Sequence, residues 1–185
     1  MTGKTPKKPI TSLGIDLSIT ATGVVLLRES GEKIPDLLLE KEIRPKNETG
    51  IERQKFVVGE IMELIHERLP DKIVLEGYSL NMRNASSVVP LVEIGGLLRF
   101  MLHVDGLSWY DPRATELKKF VTGKGNTPKS QMMMWVYKRW GHASKSDNTA
   151  DAYGLACLGL AQANRLPGLT VEMRRIAGAL PLRKN

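Results

Sequence analysis

The sequence predicts a mixed α/β fold, a sheet of about five strands with the first three antiparallel, flanked by helices on both faces. Two apolar runs, residues 12–17 and 23–28, are joined by a small-residue turn and read as paired strands. Beyond residue 50, helical periodicity alternates with short strand-type runs, the pattern of a layered α/β domain. The run at 72–76 is apolar almost throughout, as expected of a central strand covered on both sides.

In chain order, residues 37–43 can add a third strand, with Gly23 and Gly31 serving the turns. From 51 to 69 the residues Ile51, Phe56, Val57, Ile61, Leu64, Ile65 and Leu69 keep helical spacing, and Pro70 ends the run. Residues 86–103 predict a second helix, with Pro90 near its first turn and the Gly95-Gly96 pair inside. Close packing against a neighbour would explain two otherwise costly glycines. Residues 107–110 give another strand. Asp111-Pro112 predicts a capped helix start with Gly123 as its stop, and Thr127-Pro128 repeats that signal for a helix to about Trp140. A last helix is expected from near Ser146 to about Arg165, before Pro167. The expected organisation is a flexible basic arm at 1–11, one domain at 12–166 and a basic tail at 167–185 whose structure the pattern does not define.

Composition narrows the function classes. Hydrophobic residues make up 42% and charged residues 25%, ordinary globular values, and no apolar run reaches the roughly 18 residues of a membrane span. The first nine residues carry charge and proline without an apolar stretch to follow, so no secretory signal is read there. Cys157 is the only cysteine, which excludes an intrachain disulfide or a cysteine-rich zinc site and fits a reducing cytoplasm. Its apolar neighbours mark it as a small buried helix residue. A net charge of +7 favours polyanions, nucleic acid foremost.

The chemistry lies in the carboxylates. Asp16 interrupts an apolar strand, and burying an ionised carboxylate without partners costs several kcal/mol or more, so a cation, a metal or dense hydrogen bonding must answer it. Glu76 ends the central strand. Asp147 and Asp151 are four apart on the last helix, hence on one face, where like charges repel unless a cation or water separates them. One divalent site would answer all of these costs, and oxygen-only ligands favour Mg²⁺ or Mn²⁺. Two such ions about 4 Å apart can activate water and neutralise the leaving oxygen in phosphodiester hydrolysis. Taken singly, each carboxylate also reads as a cap or a salt-bridge partner.

Four segments carry a family resemblance. Gly14-Ile15-Asp16-Leu17-Ser18 leading to Thr22-Gly23, then Val74-Leu75-Glu76, then residues 121–131 with Lys124, Asn126 and Lys129, then residues 147–156 resemble the successive motifs of the RuvC family of Holliday junction resolvases. The likeness spans roughly residues 12–162. It implies a ribonuclease-H-like fold, a homodimer, and cutting of four-way DNA junctions with two Mg²⁺ per active site, Mn²⁺ substituting. Carried over by motif, Asp16, Glu76, Asp147 and Asp151 would be the metal ligands. Bacterial members usually space the last two carboxylates three apart, where this chain has Asn148. The spacing of four resembles viral relatives and hints at a phage or mobile-element source.

The resemblance also implies phosphate contacts for Lys118 and Lys129, with Lys129 able to stabilise developing negative charge. Lys124 and Asn126 lie in a glycine-flanked loop that could approach DNA. Tyr78 stands near the place of an aromatic that wedges into the junction, and base stacking and packing are both open to it. His142 reads as a helix-end or surface histidine. Met132, Met133, Met134 and Trp135 read as core or dimer packing, and the helix at 86–103 as the place of a dimer contact. Competing readings are a nuclease for other branched DNA or for RNA, a non-catalytic junction-binding module, and an actin-like phosphotransferase. The last needs two such domains where 185 residues supply one.

Overall fold

The computed structural model describes residues 8–78 and 85–183. Its elements are β1 (Thr11–Asp16), β2 (Thr22–Arg28), β3 (Asp36–Ile43), α1 (Gly50–Arg68), β4 (Lys72–Leu75), α2 (Ala85–Val104), β5 (Trp109–Tyr110), α3 (Ala114–Thr122), α4 (Met132–Trp140), α5 (Asp147–Gln162), α6 (Val171–Gly178) and β6 (Leu182–Arg183). The strands form one six-stranded sheet in the order β3-β2-β1-β4-β5-β6. β1, β2 and β3 are antiparallel, β4 runs parallel to β1, β5 runs parallel to β4, and β6 returns antiparallel on β5. Among the described residues no helix is long and apolar enough to cross a membrane. Most of the expected N-terminal arm, residues 1–7, lies outside the described residues.

The sheet separates two cores. Leu13, Ile15, Val24, Leu26, Ile73 and Leu75 face α1 and α2, whereas Val25, Leu27 and Val74 face α3, α4, α5 and α6. Alternation along a strand then decides where the acidic residues go. Ser12, Gly14 and Asp16 fall on the α5 face of β1, and Glu76, two beyond Val74, continues on that same face.

α5 lies against the sheet almost backbone to backbone. A Cβ on Gly14 would stand 2.0 Å from the Ala152 carbonyl oxygen and 2.5 Å from the Ala156 nitrogen, and one on Gly23 would stand 2.2 Å from the Asn148 carbonyl oxygen. At the far end, a Cβ on Gly159 would stand 2.2 Å from Ser12 Oγ. Small residues on both partners let the helix sink, and its residues from Thr149 to Ala161 are all buried. Cys157 is fully buried among them, as expected, and burial pushes its thiol well up from the usual range.

The start of α5 is held by β3. Ser146 caps the helix by accepting from the Thr149 N–H at 3.2 Å, and its hydroxyl donates to Glu42 Oε1 at 2.5 Å. Asn148 Nδ2 donates to the same oxygen at 3.4 Å, while Arg44 holds Glu42 Oε2 at 2.6 Å. Two residues earlier, Glu40 accepts the Lys145 N–H at 2.9 Å. Lys41, on the opposite face, reaches Glu60 of α1 at 2.7 Å. Burial pushes the Glu42 carboxyl up, but the hydrogen bonds from Ser146, Arg44 and Asn148 outweigh it and hold the group below its ordinary value.

Several sequence expectations need correction. α3 begins at Ala114 with Arg113 at the N-cap rather than at Asp111-Pro112. Asp111 is taken by Arg183 at 3.0 Å, and the Pro112 carbonyl accepts the Gly77 N–H at 2.8 Å, so both serve the sheet edge instead. Thr127 does not cap α4. Its hydroxyl lies 2.6 Å from that of Thr122 and donates to the Lys124 carbonyl at 2.9 Å, and a 3₁₀ turn, Lys129–Gln131, leads into the helix. Residues 171–178, in the segment read as a tail, form α6, whose Met173, Ile176 and Ala177 join the α3–α5 core, and β6 adds the sixth strand. The methionine run divides, with Met132 fully buried and Met133 and Met134 exposed on α4.

Gly14→Ala destabilises the protein by about 3 kcal/mol, because the added carbon meets backbone that cannot move aside. Gly59→Ala on the exposed side of α1, where nothing lies within 4 Å, stabilises it by about 0.5 to 1 kcal/mol. Urea unfolding compares the two, and similar effects would rule out the close approach. Since the folded pKa of Glu42 lies below the ordinary 4.5, its contribution is present above that pH and is lost as pH falls through the lower folded value. Glu42→Gln therefore costs about 1 kcal/mol at neutral pH, and the gap to the parent closes in acid. A gap that stays constant across the carboxylate range contradicts this role.

Candidate active site

β1 and β4 are parallel neighbours in the middle of the sheet, with Ile15 opposite Leu75 and the Glu76 N–H donating to the Ile15 carbonyl at 3.1 Å. Asp16 and Glu76 therefore leave adjacent strands side by side at their C-terminal ends, where open α/β sheets carry their ligand crevices. Asp151 stands one turn into α5, directly before the Ala152 carbonyl that overlies Gly14. The three carboxylates line a single cleft of about 260 Å³, together with Lys118 of α3, Arg99 of α2 and Tyr78. Asp16 and Asp151 are each 6% exposed, so two of the three acids are buried where like charge is costly. The turn that follows Asp16 is braced internally, the Ser18 N–H donating to Thr22 Oγ1 at 3.2 Å and that hydroxyl donating back to the Ser18 carbonyl at 3.1 Å.

The donor set suits a hard divalent cation, since it offers carboxylate oxygens from three separate elements with no thiol or imidazole on the lining. Among the described residues no three His, Cys, Asp or Glu side chains close on a common point.

The other residues singled out from sequence divide into groups. Lys118 lines the cleft, as expected. Lys124 and Asn126 are exposed on a loop folded against the start of α3, where a Cβ on Gly125 would lie 3.3 Å from the Thr115 carbonyl oxygen. Lys129 falls in the 3₁₀ turn, and its side chain lies outside the described residues. Asp147 is half-buried at the first position of α5 and is not on the lining of the cleft, while Asn148 is turned toward Glu42. Tyr78 is 40% exposed and packs on α2, its hydroxyl donating to the Val92 carbonyl at 3.3 Å. That ring also fills the notch of Gly95, which accounts for one of the two helix glycines.

His142 serves packing rather than the cleft. Its ring stacks on Tyr153 at 4.4 Å and 9°, with Nε2 3.5 Å from Glu40. Glu40, Glu42 and Arg99 escaped the sequence reading. The alternation Glu40-Lys41-Glu42 in a strand was a signal for the first two, because charges on both faces of a covered sheet require partners on both. Arg99 left no local mark.

A profile of the family described as "Crossover junction endodeoxyribonuclease RuvC" matches residues 12–158. A protein of that name from Brachyspira hyodysenteriae is 28% identical over 83% of this chain and 94% of its own length. Another from Chlorobium phaeobacteroides is 30% identical over 78% of each chain. Among solved structures, RuvC from Thermus thermophilus superposes with a TM-score of 0.67 at 20% identity, covering 84% of this chain and 98% of that one. The T. thermophilus RuvC in complex with a Holliday junction substrate gives 0.63 at 21% identity, covering 80% and 90%. The fold is thus the ribonuclease-H-like fold of these proteins, and the match over residues 12–158, carrying the strand-end acids and the acidic face of α5, makes this chain a member of the RuvC family.

Proposed function

We propose that the chain is a metal-dependent endonuclease that cuts four-way DNA junctions. The observation that carries this reading is the cleft in which Asp16, Glu76 and Asp151 meet beside Lys118, in a protein of net charge +7. Family membership supports it, as do relatives named for crossover junction cleavage. Mg²⁺, with Mn²⁺ as a substitute and two ions per site, would supply the activated water and neutralise the leaving oxygen. Asp16, Glu76 and Asp151 would hold the metal, and Asp147, one turn before Asp151 on α5, would join them from the rim.

Lys118 attracts the backbone phosphate into the cleft, and its charge favours the transition state over the substrate as negative charge develops. Lys124 and Asn126 offer further phosphate contacts from the loop beside α3, and Lys129 stands in the adjoining turn as a second cation for the reacting phosphoryl group. Tyr78 offers a ring for an unstacked base. Cutting two strands of a junction calls for two such sites, hence a homodimer. α2 supports this with an exposed apolar stripe at helical spacing, Val89, Val92, Phe100 and Val104, which are 56%, 38%, 60% and 59% exposed.

The test uses purified protein and a panel of four-way, three-way, flap and linear DNA together with RNA hybrids. Four-way junctions are nicked fastest with Mg²⁺ or Mn²⁺. Asp16→Asn still binds them but cuts about 10³-fold more slowly, the equivalent of the several kcal/mol that a metal contributes to such a step. Equal cutting of three-way or flap DNA would replace junction selectivity with a broader nuclease, and preference for RNA hybrids would move the substrate class. Metal-independent binding without any cleavage would make the chain a binding module. Light scattering of the same sample gives the mass of two chains, and Phe100→Glu reduces it to one.

A further inference from the structure

Arg99 joins Lys118 as a cation on the lining of the cleft, yet its guanidinium is committed to the protein itself. Nη1 donates to the Gly95 carbonyl at 3.0 Å and Nη2 to the Glu76 carbonyl at 3.3 Å, while the guanidinium carbon stands 4.2 Å from the centre of the Tyr78 ring. One planar fork thus ties α2, the strand end that carries Glu76 and the ring two residues further on. Gly95 makes this possible. A Cβ there would lie 2.8 Å from Tyr78 Cε1 and 2.9 Å from Arg99 Nη1, so neither group could take its place beside a larger residue.

Fixing a long side chain at three points costs rotamer freedom, and an arginine that only braced a core would be buried with its partners. Here Arg99 is half-buried, and Tyr78 is 40% exposed on the cleft that the carboxylates line. The ring is pinned by its edge to α2 and by a cation over one face, which leaves a rigid aromatic surface beside the acids. Such a surface stacks a base without regard to its identity.

We propose that Arg99 is a positioning residue that presents Tyr78 at the cleft as a platform for an unstacked base of the branched substrate and fixes the main chain carrying Glu76. This rests on the reading of the chain as a junction nuclease. The residue acts through Tyr78 and Glu76 and makes no contact with the reacting phosphate.

The test follows the binding of Asp16→Asn protein to a four-way junction with 2-aminopurine at the crossover, reading both affinity and 2-aminopurine emission. Removing the platform with Tyr78→Ala weakens binding by about 5- to 150-fold and abolishes the emission change on binding. Arg99→Met reproduces most of that loss, and in metal-free buffer, where the placing of Glu76 is not read, the Tyr78→Ala, Arg99→Met double variant binds no more weakly than Tyr78→Ala alone. Arg99→Lys, which keeps a cation over the ring, retains the emission change and carries the test if Arg99→Met does not fold. A full emission change with Arg99→Met, losses that add in the double variant, or loss of the signal in folded Arg99→Lys protein overturns the role of Arg99 alone. Failure of the parent Asp16→Asn protein to bind the junction overturns the junction reading and this role together.

Discussion

The backbone of α5 comes down onto β1 and β2 at two glycines, Gly14 and Gly23, and the rest of the site depends on that contact. Gly14 beneath Ala152 and Gly23 beneath Asn148 set the depth of the helix, and Gly159 over Ser12 sets its far end. A helix carried on side chains of ordinary size would ride several ångströms higher. Asp151 would then rise with it, away from the strand end that bears Asp16. The closeness that assembles the cleft is therefore also what crowds negative charge into it. Ala, Cys and Gly make up about half of the buried length of α5, and Leu155, Leu158, Leu160 and Tyr153 are its larger residues, the Tyr153 hydroxyl pushed far up by burial.

Two layers of support translate this contact into a defined site. β3 holds the N-terminus of α5 through Glu42 and the preceding loop through Glu40, so the rim residue Asp147 is set by an edge strand on the far side of β2. On the other side, β4 and β5 carry Glu76 and the Pro112 carbonyl, and α2 closes over them through Arg99. α3, which brings Lys118, is clamped from behind by α6, where Glu172 pairs with Lys119 at 2.7 Å and with Arg175 at 2.8 Å. Those bonds hold the Glu172 carboxyl down to about 2. The C-terminal segment thus steadies the helix that supplies a cleft cation.

The parts of this arrangement that are local in sequence were legible there. Sequence pattern marked the β1–β2 hairpin, α1, the central strand and α5, whose start near Ser146 agrees with the structure. Asp16 and Glu76 stood out as charges at strand positions and Asp151 as a like charge one turn from Asp147, and the fold brings these three to one cleft. What escaped depends on partners distant in the chain. Asp111 looks like a helix cap until Arg183, 72 residues on, is seen to take it. The strand pairing of residues 182–183 rests on an edge that only the folded sheet offers. Arg99 is a lone arginine in a largely apolar helix, and its meaning comes from Tyr78 and the Glu76 carbonyl. Asp147, singled out by its spacing from Asp151, is half-buried at the first position of α5 and is not on the lining of the cleft.

If α5 and the strand ends form one cation site, Asp16 and Asp151 act on the same ion. Binding of Mn²⁺ to DNA-free protein, followed by electron paramagnetic resonance for the parent, Asp16→Asn and Asp151→Asn, decides this. If the close approach of α5 builds one site, both single substitutions weaken Mn²⁺ binding together, each by about tenfold or more, a loss of at least about 1.4 kcal/mol. If Asp151→Asn binds Mn²⁺ as the parent does while Asp16→Asn does not, α5 is no part of the site and the account fails.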